Sequence, residues 1–262
     1  MILFVFEGEE RECRIYETLK KLFFPKDREE IIFSFGNNIY NLYSELKGYD
    51  GYGDLVSIMR ESLVSGEDNP LSGVAASDIT DIFLFFDYDI HNSQLTIDEM
   101  NRRVQGMLEL FQEETENGKL YINYPMVESI CYTKELPDRN YCSYSVAISD
   151  CSDFKKTTSE FSHYKSWDHL ICPNPVCKSC FDKIQANWAH LIKMNVRKAN
   201  YLVCGQKTMP NNKSDIDQLL IFGRQVVDYV NERSEVSVLN SFPIFIYDYL
   251  NADRLKSLLS NI

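Results

Sequence analysis

Positive charge is scarce in this sequence: 27 Lys and Arg stand against 39 Asp and Glu, a net charge of −12. A protein that coats nucleic acid through its phosphates needs an excess of cations, so that mode of binding is excluded. An enzyme that meets phosphate through divalent metal is not excluded, because a bound cation reverses the local sign of a carboxylate cluster. No stretch approaches the roughly 18 apolar residues of a membrane span. The opening MILFVFEGEE has no basic segment, and its apolar run is too short for a signal peptide. The expectation is therefore a cytoplasmic protein with no membrane contact, in which the eight cysteines are reduced thiols and not a disulfide framework. No Gly-x-x-x-x-Gly-Lys-Ser/Thr string occurs, which excludes ATP hydrolysis by that phosphate-binding loop. Four histidines and no nucleophile elbow leave no defensible Ser-His-Asp arrangement. Internal repeats and low-complexity segments are also missing.

What is present is a large core. Hydrophobic residues make up 44% of the chain and aromatics 13%, enough to exclude global disorder. ILFVF (2–6) is a continuous apolar run of the kind buried on both faces of a sheet. Helical periodicity follows over 10–23, with Lys20 and Lys21 in the last turn. EIIFSFG (30–36) predicts a second strand, and helices are expected near 39–46 and within 52–66, before a loop over 66–73. DIFLFFD (81–87) is a third strand, a helix spans about 96–116, and KLYINYP (119–125) is a fourth strand. This alternation predicts an α/β fold with an open, mainly parallel sheet flanked by helices. Beyond 130 the pattern turns polar, then helical over 180–203 and over 214–232 with Ser214 as its N-cap. SFPIFIYDYL and ADRLKSLLSNI complete a packed helical end. The division expected is an α/β domain over 1–130 and a mainly helical extension over 131–262.

In such sheets ligands gather at the carboxyl ends of the strands. Glu7 follows the first strand there, and Asp87 and Asp89 follow the third. On an extended strand Asp-x-Asp would direct both side chains to one face, with Cβ atoms about 6–7 Å apart. Oxygen donors of this kind suit Mg²⁺ or Mn²⁺. Tyr88, between the two acids, points away and reads as a core aromatic.

FEGEERE (6–12), FFDYD (85–89) and YPMVES (124–129) together resemble the Toprim domain. The closest flavour is the group containing OLD-family nucleases, RloB-like proteins and the AriB effector of the PARIS anti-phage system. The resemblance covers roughly residues 1–130. It implies that Glu7 is a general acid/base or metal ligand, that Asp87 and Asp89 are catalytic metal ligands, and that Glu12 is a further metal ligand, with Glu9 and Glu12 both matching acidic positions of RloB-type sequences. Glu9 and Glu128 become candidates for a second metal. Arg11 replaces a threonine often found there, and either pairs with Glu12 or points at a scissile phosphate. The implied activity is Mg²⁺- or Mn²⁺-dependent hydrolysis of DNA or RNA by an antiviral effector. An ABC-type ATPase is the implied partner, and a homo-oligomer stays open. The rival is a regulatory or scaffolding subunit with a vestigial acidic cluster; phosphoryl transfer on a small nucleotide is a second.

Two other groups draw notice. Cys172, Cys177 and Cys180 offer soft donors, but a single Cys-x-x-Cys is half a structural zinc site, so free thiols are expected. Lys193, Arg197 and Lys198 fall at i, i+4 and i+5 of a predicted helix and are candidate phosphate contacts, against the alternative of a solvated face.

Overall fold

A computed structural model of the chain describes residues 1–48, 54–61, 69–92, 94–163, 166–173 and 178–260. Five strands form the main sheet: β1 (Ile2–Phe6), β2 (Glu30–Ser34), β3 (Asp81–Asp87), β4 (Gln112–Glu113) and β5 (Gly118–Asn123). Their spatial order is β2-β1-β3-β5-β4, parallel except for the antiparallel β4 at the edge. The fold is thus α/β with a mainly parallel sheet, as the alternation of apolar runs and helical periods predicts. β1 connects to β2 on one side while β3 lies on the other, so the order reverses between β1 and β3. A crevice opens at the carboxyl ends of strands at such a reversal.

Helices cover both faces. Beside the first strands lie α1 (Arg11–Phe23), α2 (Ile39–Gly48) and α3 (Leu55–Glu61). The fourth helix, α4 (Ile97–Leu110), is capped by Thr96, whose side chain accepts from the Glu99 amide. It ends at Leu110, earlier than the expected 116, because residues 112–113 turn back to pair with β5.

The second half of the chain is richer than its helical period indicates. A two-stranded antiparallel ribbon joins β6 (Ser145–Ala147) to β7 (Glu235–Ser237). Around it are α5 (Phe154–Phe161), α6 (Asp168–Ile171), the long α7 (Phe181–Cys204), α8 (Gln218–Arg224), α9 (Ser241–Tyr249) and α10 (Ala252–Ser260). The helix expected over 214–232 is broken into a 3-10 turn, α8 and a π-helical stretch over 225–231. Its caps are Asn212 and Asp217, not Ser214.

α9 covers one face of the sheet. Phe242 stacks on Phe85 at 4.6 Å between ring centroids, and Phe245 meets Phe83 at 5.1 Å and Tyr121 at 5.5 Å. From α1, Tyr16 packs on Phe4 at 4.3 Å. A main-chain pair between Tyr124 and Leu239 ties the end of β5 to the segment that leads into α9. The hydrophobic core therefore runs without a break through residues on both sides of position 130.

Candidate metal centre

The switch between β1 and β3 brings three acids together. Oxygens of Glu7, Asp87 and Asp89 lie within 4.8 Å of one another. The register explains the first two. Phe6 pairs with Phe85, so the chain ends of β1 and β3 are level. The Glu7 amide donates to the Phe85 carbonyl at 3.0 Å, and the Asp87 amide donates to Oε2 of Glu7 at 2.9 Å. Each strand end thus fixes the other.

Asp89 arrives by a turn. The strand stops at Asp87, and Asp89 has φ of 44°, in the left-handed region that Asp tolerates better than most residues. The expectation that strand alternation alone would align the pair is corrected here. The turn is held by the Tyr88 amide, which donates to the carbonyls of Asn123 and Pro125, and by the Tyr40 hydroxyl, which donates to the Tyr88 carbonyl. Tyr88 itself is fully buried, with its hydroxyl on Asn101.

Close packing of like charges shows in the protonation of the group. Burial raises the Asp87 carboxyl well above the ordinary range, and the charges of Glu7, Glu12 and Asp89 push the same way, against the Asn123 amide. Glu7 is raised well above its usual value by burial and by Asp89, while the Asp87 amide opposes. For Asp89, burial and Glu128 raise the carboxyl and His91 lowers it.

The other candidates separate. Glu12 is buried and reaches back toward Gly8, where a Cβ would come within 2.9 Å of its Oε2; glycine is what lets it approach. Burial raises its carboxyl, and Glu128 adds to this. Glu128 sits buried in a 3-10 turn over 127–131, its charge acting on Glu12, Asp89 and Arg11. Glu9 is exposed and is not among the converging carboxylates. Arg11 forms no ion pair with Glu12: its Nη2 donates to Cys131 Sγ at 3.0 Å and its Nη1 lies 3.7 Å from Asp168, with the side chain still partly exposed. Its Nε is buried without an acceptor among the described residues.

Lys193 is half-buried and Arg197 exposed, but Lys198 is fully buried, its ammonium donating to the carbonyls of Tyr141 and Tyr144. The reason is helical pitch. One residue turns the direction by about 100°, which carries Lys198 off the face shared by its neighbours and into the core. Lys198 is corrected to an interior cation, not a surface contact.

At the cysteines, Cys172 is buried with its Sγ 3.8 Å from Asp168, Cys180 is disulfide-bonded, and Cys177 lies outside the described residues. The expectation of thiols throughout fails at Cys180, and a disulfide sulfur is no thiolate donor for zinc.

One group at the site escapes motif reading. Asn123, the last residue of β5 and fully buried, donates from Nδ2 to Asp87 Oδ1 at 2.9 Å. Its Oδ1 accepts from the Ser241 amide at 3.0 Å and hydroxyl at 2.7 Å, at the start of α9. Asn240 beside it caps α9, and its amide donates to Asn195 of α7. An asparagine in the otherwise uncharged, mostly apolar stretch LYINYP is the signal the sequence offers for it.

The donor set fits a hard divalent cation. Two ligands on one ion with bonds of about 2.1 Å stand at most about 4.2 Å apart, so a small side-chain rotation closes the 4.8 Å span. One oxygen each of Glu7 and Asp87 is held by a protein donor, and the other has none among the described residues. Among the described residues no helix is long and apolar enough to cross a membrane. No protein-family model, no curated protein and no solved structure matches the chain.

Proposed function

We propose that the chain is a Mg²⁺- or Mn²⁺-dependent nuclease of the Toprim type, hydrolysing phosphodiester bonds of DNA or RNA. The observation that carries this reading is the convergence of Glu7, Asp87 and Asp89 at the topological reversal of a parallel sheet. Glu7 and Asp87 would hold the ion, each with one oxygen fixed by a hydrogen bond and the other left for it, and Asp89 would complete the set from its turn. A bound divalent ion supplies charge stabilisation at the phosphate and acidifies water for attack. Glu12 and Glu128 are the nearest further carboxylates, available to move a proton or to hold a second ion.

A cleft of about 250 Å³ opens beside Glu128, lined also by Arg11, Lys155, Thr158, Trp167 and Asp168. It gives a strand a route past the rim, with Arg11 directed at the phosphates by Asp168 and Cys131. The ATPase partner belongs to the same proposal as the source of the trigger.

The test is cleavage of labelled single- and double-stranded DNA and RNA with Mn²⁺. The wild-type chain, alone or with an ATPase encoded beside it, is expected to cut at least one of them, and Asp87→Ala none. Absence of cutting in every arm would favour the scaffold reading.

A further inference from the structure

Away from the acidic rim, one cleft carries the opposite sign. It has a volume of about 290 Å³ and is lined by Arg139, His190, Lys193, Arg197 and Lys207. His190, Lys193 and Arg197 stand at i, i+3 and i+7 of α7 and so share a face of it. Arg139 comes from the loop before β6, and Lys207 from the turn after α7. Three segments thus deliver four permanent cations to one hollow of a chain whose net charge is −12.

Among the described residues none of the four makes an ion pair. Lys207 instead lies over the Tyr201 ring, at 5.1 Å. The one acid in the cleft, Asp138, is already engaged. Its Oδ1 accepts from the Asn140 amide, and its Oδ2 accepts from the Lys134 amide and from the hydroxyls of Thr133 and Tyr144. Lys198 is buried against the Tyr141 carbonyl, and because burial lowers its ammonium to about 7, it adds positive charge to the cleft mainly below that pH. Burial and then Lys193 lower His190, and at Cys142 burial raises the thiol while Lys198, Lys207 and Arg197 oppose it.

We propose that this cleft is a second binding site, for phosphoryl groups, distinct from the metal centre. A lone carboxylate would leave most of the positive charge unanswered, whereas a phosphate matches both the charge and the planar forks of two arginines. The choice of a nucleic-acid strand over a free nucleotide as the source rests on the nuclease reading; the phosphate chemistry does not. A strand held here also answers how a chain with so many acids retains a polyanion: attraction is confined to one hollow.

The experiment uses the full chain in EDTA, so that the metal centre contributes nothing. Binding of a short labelled single strand is measured by anisotropy over a salt series, with adenosine 5′-monophosphate and inorganic phosphate as competitors. Wild type is expected to bind the strand. Arg197→Glu with Lys207→Glu, both exposed positions, should bind about tenfold or more weakly, with the log–log salt slope reduced by about 1.4 for two lost contacts. Thermal stability of the double variant should stay near wild type. Competition by the mononucleotide or by phosphate, with movement of the His190 ring resonances, identifies a single phosphoryl group as sufficient; competition by neither identifies the strand. Wild type that binds none of the three probes, or a double variant that binds the strand as wild type does, overturns the site. Cleavage is scored separately with Mn²⁺, so a failure of the nuclease reading leaves this result standing.

Discussion

Asn123 and Asp87, register partners on β5 and β3, are joined by a 2.9 Å hydrogen bond from the amide to the carboxylate. Through Ser241 the same asparagine is anchored to α9, so a helix from the end of the chain fixes a carboxylate of the acidic cluster. Outer-shell donors of this kind orient ligands and typically carry a 10–100-fold share of metal affinity. Asn123→Ala is therefore expected to weaken Mn²⁺ binding about tenfold or more. It should also lose about 1–3 kcal/mol of stability from the Ser241 donors left without an acceptor. Titration calorimetry with Mn²⁺ separates the two effects, because a purely structural role would leave the affinity of the folded protein unchanged.

The clustered acids make the metal-free protein sensitive to base. Glu7 and Asp87 have raised values in the folded state, so the favourable contribution of their protonated forms is complete below the ordinary carboxylate range. It is lost as pH rises through the raised values. Metal affinity moves the other way, since ligands must be deprotonated. With EDTA, Tm should fall as pH rises above the ordinary carboxylate range, and Mn²⁺ should restore more at the upper end of the series. Asp87→Asn is expected to flatten both dependences. A Tm independent of pH and of Mn²⁺ in the wild-type chain would contradict this.

Lys198 makes a different pH signature. Burial lowers its ammonium to about 7, with Cys142 opposing. The unfolded chain holds the proton to about 10.4. Between these values the unfolded state binds more protons, so stability rises with pH across that window and is lost as pH falls through about 7. The full effect is bounded at about 5 kcal/mol. Lys198→Met should remove this rise in urea denaturation, though it leaves the Tyr141 and Tyr144 carbonyls without their donor.

Phe242 tests whether the end of the chain belongs to the sheet domain. Its ring is fully buried and stacked on Phe85, so Phe242→Ala is expected to cost about 3–5 kcal/mol in a single cooperative transition. A fragment of residues 1–130, lacking α9, should not fold, because Phe4, Phe83, Phe85 and Tyr121 would lose their cover. Circular dichroism of the fragment checks this directly.

These residues also show what could be read without coordinates. ILFVF and DIFLFFD announce parallel strands because a strand buried on both faces is apolar at every position. Glu7 and Asp87 then stand out as acids at the ends of those runs. Asn123 stands out less, since a neutral polar residue two positions before a proline is equally at home in a turn. The interior place of Lys198 is not legible in the sequence, because a cluster of cations marks one side of a helix only when that side is free. α7 is packed nearly all round, and only tertiary contact decides which direction is interior. The place of α9 is hidden for a related reason: SFPIFIYDY is apolar on most sides, and its composition does not say what it covers. The β6–β7 ribbon has three residues per strand, too few for an alternation to register.

Titration of Mn²⁺ into the purified chain, read by calorimetry and by the electron-spin signal of free Mn²⁺, bears on the metal centre before any substrate is known. A centre built on Glu7, Asp87 and Asp89 requires saturable Mn²⁺ uptake in the wild-type chain, lost in Glu7→Gln and in Asp87→Asn while both variants stay folded. Wild type that takes up no Mn²⁺, or variants that bind it as wild type does, would show that these three carboxylates meet for some other reason.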